Sequence, residues 1–445
     1  MKIIRILLRV IIVLILLPRE SYSQPTPEPE RTIRTEWWRD AKFGMFVHWG
    51  LYAIPAGEWK ADNVSGQRYS EWIMHQLKIP VKDYELLAQR FNPVKFDATE
   101  WVKIAKSAGM QYLVITTKHH DGFSMFDSKV TKYNIVDATP FGKDPLKELS
   151  VACQNEGIKL GIYYSVDRDW HHPDAQGNYL KQSNFWDYPD ENAKDFDKYL
   201  ETFAIPQLTE LLTNYGKIAI MWFDDIGKKT DKQNQRIIEL IHKYQPECLI
   251  NSRLGEWNHY YYGDYREMDD NNVSNKDVGY GWENPGTIGK SYAYNKYDTV
   301  WKSPEELIHL FVDIVSNGGN YLLNVGPTAE GIIPEQAQLR LREFGKWMNV
   351  NSESIYDTRA SKLLQPEWGR ITAKDNKEYL HVFDLPANKE IYLKEFTEKV
   401  TCVYLLADPK KNPLHFSQSY LGLTIKIPEA KDKYDTVVVV ETAKN

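Results

Sequence analysis

The sequence predicts an α/β protein: a (β/α)8-like TIM barrel followed by a C-terminal antiparallel β-sandwich. Three observations carry that expectation. Apolar runs of strand length alternate with amphipathic helical stretches from residue 42 to about residue 350. The strand runs are apolar on both faces, as strands are when helices cover both sides of a parallel sheet. Beyond residue 350 short period-two runs take over, separated by Asn, Asp, Pro and Lys turns.

In chain order, the barrel strands are expected at 42–50, 111–120, 158–167, 218–225, 247–253 and 320–327. The helices between them are expected at 98–109, 144–156, 190–214, 231–244, 303–317 and 334–350. Regions 51–95 and 254–300 are poorly patterned and leave room for further strands. The alternative of an open doubly wound sheet would call for a glycine-rich phosphate loop after the first strand, and none follows it. The sandwich is expected from the runs YLHVFDL, EIYLKEF, VTCVYLL, YLGLTIKI and TVVVVET.

Residues 1–23 read as a signal peptide. Lys2, Arg5 and Arg9 form a positive start, Val10 to Leu17 a short apolar core, and Ser21 and Ser23 a small-residue cleavage pattern. The apolar core is too short for an ordinary membrane span. Residues 24–35 read as a linker, with QPTPEPERT extended. The catalytic barrel is expected over 36–350 and the sandwich over 351–445. These features imply export to the periplasm or the extracellular space, with no stable membrane insertion once the leader is removed. The three cysteines, Cys153, Cys248 and Cys402, are far apart, show no metal-type spacing and read as small buried residues.

Composition narrows the partners. A net charge of -6 and the lack of a basic stripe argue against nucleic acid. Aromatic residues make up 13% of the chain, with 14 Trp and 28 Tyr, and flat rings with polar edges suit sugar ligands as well as a large core.

The barrel strands end in chemistry-bearing residues: His48 and Trp49; His119, His120 and Asp121; Tyr163, Tyr164 and Asp167; Trp222, Asp224 and Asp225; Asn251 and Arg253. In a TIM-type barrel the C-terminal strand ends converge on one mouth, where catalysis occurs. Strand alternation puts Trp222 and Asp224 on one face and Asp225 on the other. His119 and His120 should face opposite ways unless the chain bends there. The HHDG stretch could bind a metal, but no third ligand stands at standard spacing and neutral imidazoles serve sugar hydroxyls equally well.

The segments WWRDAKFGMFVHWGLYAIPAGEW, TTKHHDGFSMFDS, GIYYS, MWFDD, NSR, WENPGTIG–SYAYN and VDIVSNGGNYLLNVGPTAEGIIP resemble the alpha-L-fucosidases (glycoside hydrolase family 29), in particular exported members of bacterial type. The resemblance runs from about Glu36 to the helix near residue 350. It implies a retaining exo-glycosidase acting on a fucosylated oligosaccharide or glycoconjugate, with no metal or organic cofactor. By the same resemblance Asp224 is the nucleophile, and His48, Glu71, Trp72, His119, His120, Tyr164, Trp222, Arg253 and Tyr292 bind the sugar. The acid/base is expected at Glu283, with Glu267 and Asp269 of GDYREMDDN as alternatives.

Overall fold

The computed structural model describes residues 29–60, 62–63, 69–177, 182–224, 227–257, 260–271, 281–428 and 432–443. Eight parallel strands form its centre: β1 (Phe43–Val47), β2 (Tyr112–Lys118), β3 (Lys159–Tyr164), β4 (Ile220–Phe223), β5 (Leu249–Ile250), β6 (Arg266–Glu267), β7 (Trp282–Thr287) and β8 (Asn320–Val325). Their order in the sheet is β6-β7-β8-β1-β2-β3-β4-β5. The remaining seam, between β5 and β6, is closed by a parallel bridge from Asn251 to Tyr265 and by Asp264, whose N–H donates to the Ile250 carbonyl at 2.6 Å. The result is a barrel.

Alternation divides the strand side chains into two cores. Phe46, Tyr112, Val114, Tyr163, Ile220, Trp222, Leu249 and Leu322 fill the barrel interior together with Tyr265. Their neighbours Phe43, Met45, Val47, Leu113, Ile115, Ile162, Met221, Leu323 and Val325 pack outward against the helices. Six strands lie where the sequence patterns indicated. Strands β6 and β7 come from the poorly patterned 254–300 region. One is only two residues long, and the other reads WENPGT, a composition that carries no strand signal.

The longer helices among the described residues are α1 (Pro29–Ala41), α2 (Ala98–Ser107), α3 (Pro145–Glu156), α4 (Ile205–Asn214), α5 (Asp231–Tyr244), α6 (Pro304–Ser316) and α7 (Glu335–Asn351). Their starts follow capping chemistry: the Asp97 and Asp144 side chains accept from the first turns of α2 and α3, and Thr230 with Gln233 and Ser303 with Glu306 form capping boxes. The helix expected over 190–214 is broken into Phe196–Tyr199, a π-helical turn at Leu200–Ala204, and α4, which carries Pro206 in its first turn. Part of the expected linker is helical, since α1 starts at Pro29 and stacks Trp38 on Tyr265 at the closed end of the barrel. The expected leader lies outside the described residues. Among the described residues, no helix is long and apolar enough to cross a membrane.

The C-terminal unit has two antiparallel sheets. One is ordered β9-β10-β11-β16-β13, with β9 (Arg359–Ala360), β10 (Gly369–Lys374), β11 (Lys377–Val382), β13 (Val400–Leu405) and β16 (Thr436–Thr442). The other is ordered β12-β15-β14, with β12 (Glu390–Lys394), β14 (Phe416–Ser419) and β15 (Gly422–Lys426). Ile371, Leu380, Ile391, Val403, Leu423, Ile425, Val438 and Val440 form the core between them. It docks on the barrel through α6: His309 stacks on Phe383 with ring centroids 3.9 Å apart, and Arg370 pairs with Asp313. Cys153 and Cys248 are buried, Cys402 is half-buried, and all three are free thiols.

Candidate active site

The C-terminal ends of the barrel strands enclose a cavity lined by Phe46, His48, Tyr69, Glu71, Trp72, His119, Trp222, Asp224, Arg253, Asp270, Pro285 and Tyr292. The lining comes from six barrel strands, β1, β2, β4, β5, β6 and β7, or the loops after them. Tyr69, Glu71 and Trp72 belong to the irregular segment between β1 and α2, which makes a turn at Ser70–Trp72.

Asp224 follows β4 directly, and its side chain is 17% exposed. Three elements converge on it. The Tyr163 hydroxyl donates to its Oδ2 at 2.9 Å, Arg253 Nη1 donates to its Oδ1 at 2.9 Å, and His120 Nε2 stands 3.4 Å from Oδ2. Burial alone would raise the pKa of the Asp224 carboxyl. The His120 contact and the charges of Arg253 and Arg168 outweigh burial and hold the carboxyl well below its usual range. Asp224 is therefore an ionised carboxylate with its lone pairs directed by fixed donors.

Arg253 carries a second acid. Its Nη2 donates to Asp270 Oδ1 at 2.6 Å and to the Met268 carbonyl at 2.8 Å. Its guanidinium carbon lies 5.2 Å from the centre of the Trp222 ring. Asp270 is 30% exposed and stands on the loop after β6. The sequence reading passed over this residue. Its signal is the GDYREMDDN acidic run, from which Glu267 and Asp269 were selected.

The histidines occupy different places. His48 Nδ1–H donates to Asn324 Oδ1 at 2.7 Å, and the ring lines the cavity. Burial lowers its pKa to about 4, so its ring is neutral near pH 7. His119 also lines the cavity, and burial holds it well below the usual imidazole range. His120 lies behind the cavity wall, with Nδ1 2.6 Å from Ser165 Oγ and Nε2 3.1 Å from Arg168 Nη1; burial, then Arg168, lowers its pKa to about 3. Strand alternation does not extend to them because β2 ends at Lys118 and the chain turns at His120, which leaves the two ring centroids 4.2 Å apart.

Glu71 is 2% exposed and accepts from the Ala293 N–H at 2.9 Å and the Ser291 hydroxyl at 3.1 Å. Burial raises its pKa to about 7. Trp72, Trp222 and Tyr292 also line the cavity.

Two expectations do not fit the geometry. Tyr164 points outward from β3, and its hydroxyl donates to Gln207 Oε1 at 2.8 Å on α4; Tyr163, one residue earlier, is the inward tyrosine. Glu283 does not line the cavity. It shares the inward face of β7 with Pro285, which does line it, but sits two residues earlier and thus deeper in the barrel. Of the alternatives, Glu267 is buried beside Glu283 as its register partner, and Asp269 is exposed on the loop. Asp225 lies outside the described residues. Asp121 and Asp167 are buried away from the cavity, bonded to Tyr84 and Lys229 respectively.

His119, His120 and Asp224 offer ligand atoms within 4.8 Å of one another, a grouping able to hold a cation. Two guanidinium groups already bond two of its three members, Arg168 at His120 and Arg253 at Asp224. Their positive charge opposes a metal ion, while neutral imidazoles, Glu71 and an aromatic wall match the hydroxyls and C–H faces of a sugar.

The family model described as Alpha-L-fucosidase matches residues 15–353 of the chain. The alpha-L-fucosidase of Dictyostelium discoideum is 29% identical over 414 residues, covering 87% of this chain and 86% of that protein. Among solved structures, alpha-L-fucosidase isoenzyme 1 from Paenibacillus thiaminolyticus superposes with a TM-score of 0.84 at 36% identity, covering 93% of this chain and all of that one. An alpha-L-fucosidase from Lactobacillus casei, solved in complex with alpha-L-fucose, superposes at 0.65 with 42% identity, covering 70% and 98% of the two chains.

Proposed function

The chain belongs to the alpha-L-fucosidase family of hydrolases, and from that premise we propose that it is a retaining exo-alpha-L-fucosidase. It removes terminal alpha-L-fucosyl groups from glycans by double displacement through a covalent fucosyl-enzyme. The observation that carries this reading is the pair Asp224 and Asp270, bound to the two terminal nitrogens of Arg253. Retaining glycosidases hold their carboxyls about 5–5.5 Å apart, and inverting ones roughly 6.5–9.5 Å apart to admit a water. Two acids sharing one guanidinium favour the closer spacing.

Asp224, ionised and aimed by Tyr163 and Arg253, attacks the anomeric carbon. Asp270 protonates the departing glycosidic oxygen. In the second step Asp270 takes a proton from water, and that water opens the fucosyl ester with the original anomeric configuration restored. The choice of Asp270 over Glu71 follows from depth. An exo-enzyme holds the sugar at the closed end and the leaving group at the mouth; Glu71 is 2% exposed at the former, Asp270 30% exposed at the latter. Glu71, His48 and His119 then bind ring hydroxyls, and Phe46, Trp222 and Tyr292 face the methyl group.

Hydrolysis of an aryl alpha-L-fucoside tests the assignment, with wild type, Asp224→Ala, Asp270→Ala and Glu283→Ala compared with and without azide. Azide should give the inverted β-fucosyl azide from Asp224→Ala and the retained azide from Asp270→Ala, with no rescue of Glu283→Ala. A silent wild type would overturn fucosidase activity, and rescue of Glu283→Ala with retained product would move the acid/base there. We also propose export, supported by Lys2, Arg5, Arg9 and the apolar run after them. A mature protein beginning at Gln24 is the expected mass-spectrometric result; an intact Met1 in the released protein would refute it.

A further inference from the structure

Beneath the sugar cavity, the barrel interior holds two carboxyls that the proposed reaction does not use. Glu267 on β6 and Glu283 on β7 are register partners on neighbouring parallel strands, so their side chains stand side by side. They are 8% and 0% exposed. Their hydrogen bonding is unequal. The Trp222 indole N–H and the Tyr265 hydroxyl donate to Glu283 Oε1 at 3.2 and 3.3 Å, and the Tyr112 hydroxyl donates to Glu283 Oε2. Gly44 of β1 makes room for that tyrosine, since a Cβ there would lie 2.3 Å from the Tyr112 ring. The Glu267 oxygens, in contrast, accept from no donor among the described residues.

An ionised carboxylate buried without a donor is costly, and two ionised carboxylates in contact repel. The three donors favour the charged form of Glu283 over that of Glu267. Among the described residues, the arrangement that satisfies Glu267 is a neutral carboxylic acid whose O–H donates to Glu283. We propose that Glu267 and Glu283 share one proton and act as a positioning pair, with the Glu283 carboxylate pinning the Trp222 indole as a wall of the sugar cavity.

The consequence reaches the reacting acids. Trp222 lies face-on to the Arg253 guanidinium, and Arg253 holds both Asp224 and Asp270. Displacing the indole therefore disturbs the sugar wall and the clamp together. Burial raises both carboxyls, and the Glu283 charge raises Glu267 further. The other charged or titratable groups facing the pair are Arg253, whose charge opposes that rise, Asp270, which adds to it, and the hydroxyls of Tyr112 and Tyr265. The inference rests on the reading of Asp270, and not Glu283, as the acid/base.

Infrared difference spectroscopy on the full chain reads the proton directly. At alkaline pH, where ordinary carboxyls are ionised, wild type should keep a neutral carboxylic acid band that Glu267→Gln lacks. Kinetics on an aryl fucoside and on a fucoside with a poor leaving group complete the test. Glu267→Gln keeps an N–H donor for Glu283 and should stay within about threefold of wild type. Glu267→Leu and Glu283→Gln should each lose at least about tenfold in kcat/KM, equally for both substrates and without azide rescue. The absence of a band difference, or a Glu267→Leu enzyme as active as Glu267→Gln, would overturn the pair. A Glu283→Gln loss confined to the poor leaving group and rescued by azide would instead overturn the acid/base reading on which it rests. If Glu267→Leu fails to fold, the infrared comparison with Glu267→Gln still decides.

Discussion

Arg253 donates to Asp224 at 2.9 Å from one terminal nitrogen while the other nitrogen binds Asp270 at 2.6 Å. A planar guanidinium can make both bonds at once with fixed spacing; an ammonium is a point charge without that geometry. Arg253→Ala should reduce kcat by about 10²–10³, the cost of removing one preorganised charge-stabilising donor. Arg253→Lys should recover only a minor part of it. Steady-state hydrolysis of an aryl fucoside measures both, and a lysine variant with wild-type kcat would refute the clamp.

Tyr163 and Tyr164 are adjacent in sequence and opposite in consequence. Tyr163 donates to Asp224, the proposed nucleophile, so Tyr163→Phe removes a bond that favours its charged form. The Asp224 pKa should rise and the acid limb of kcat/KM should move to higher pH, with a loss of roughly tenfold at the optimum. Tyr164→Phe should leave the profile where it is and cost about 1 kcal/mol of stability, from its bond to Gln207. A shift of the acid limb in Tyr164→Phe alone would reverse the assignment.

That pair also marks how far the sequence could be read. The barrel was legible because six strands are apolar on both faces, and Trp222 with Asp224 could be put on one face by period two. The phase of β3 was not legible, because Tyr163 and Tyr164 are chemically identical and only the register with β2 and β4 decides which turns inward. The two histidines after β2 escaped the period-two rule because the strand ends at Lys118 and the chain turns at His120, a strand end that no residue type announces. Asp270 was hidden for another reason: it follows a strand of two residues, so nothing in the local pattern marks it as a strand end. Glu283 was attractive as an acid beside a tryptophan, and what keeps it out of the cavity lining is depth along the barrel axis, which depends on strand stagger.

Glu71 predicts a pH dependence of stability. Its carboxyl is raised by burial from 4.5 to about 7 in the folded chain. Between those values the folded state binds the proton and the unfolded state does not, so this group's contribution is fully present below pH 4.5 and is lost as pH rises through about 7. A shift of this size corresponds to about 3 kcal/mol, at about 1.4 kcal/mol per unit. Glu71→Gln cannot titrate. Relative to wild type, it should therefore gain stability in urea titrations as pH is raised from 4.5 to above 7. A difference between the two proteins that stays flat over that range would mean that Glu71 is not held protonated. Activity should fall in the same variant, since Glu71 lines the cavity proposed to hold the sugar.

The cavity wall predicts the sugar preference. Fucose carries a methyl where an L-galactoside carries a hydroxymethyl. Phe46, Trp222 and Tyr292 offer rings at that wall, and the Tyr292 hydroxyl is turned away to the Pro285 carbonyl at 3.3 Å. An added hydroxyl facing rings finds no partner, but an apolar pocket rejects it by only about 1–3 kcal/mol, roughly 10–200-fold. L-galactosides should therefore be slow substrates with measurable turnover. Phe46→Leu should narrow the ratio of kcat/KM values for the two aryl glycosides, because a smaller side chain opens room for the hydroxyl and a water to satisfy it. Equal kcat/KM for both glycosides in wild type would rule out the methyl wall, whatever the variant does.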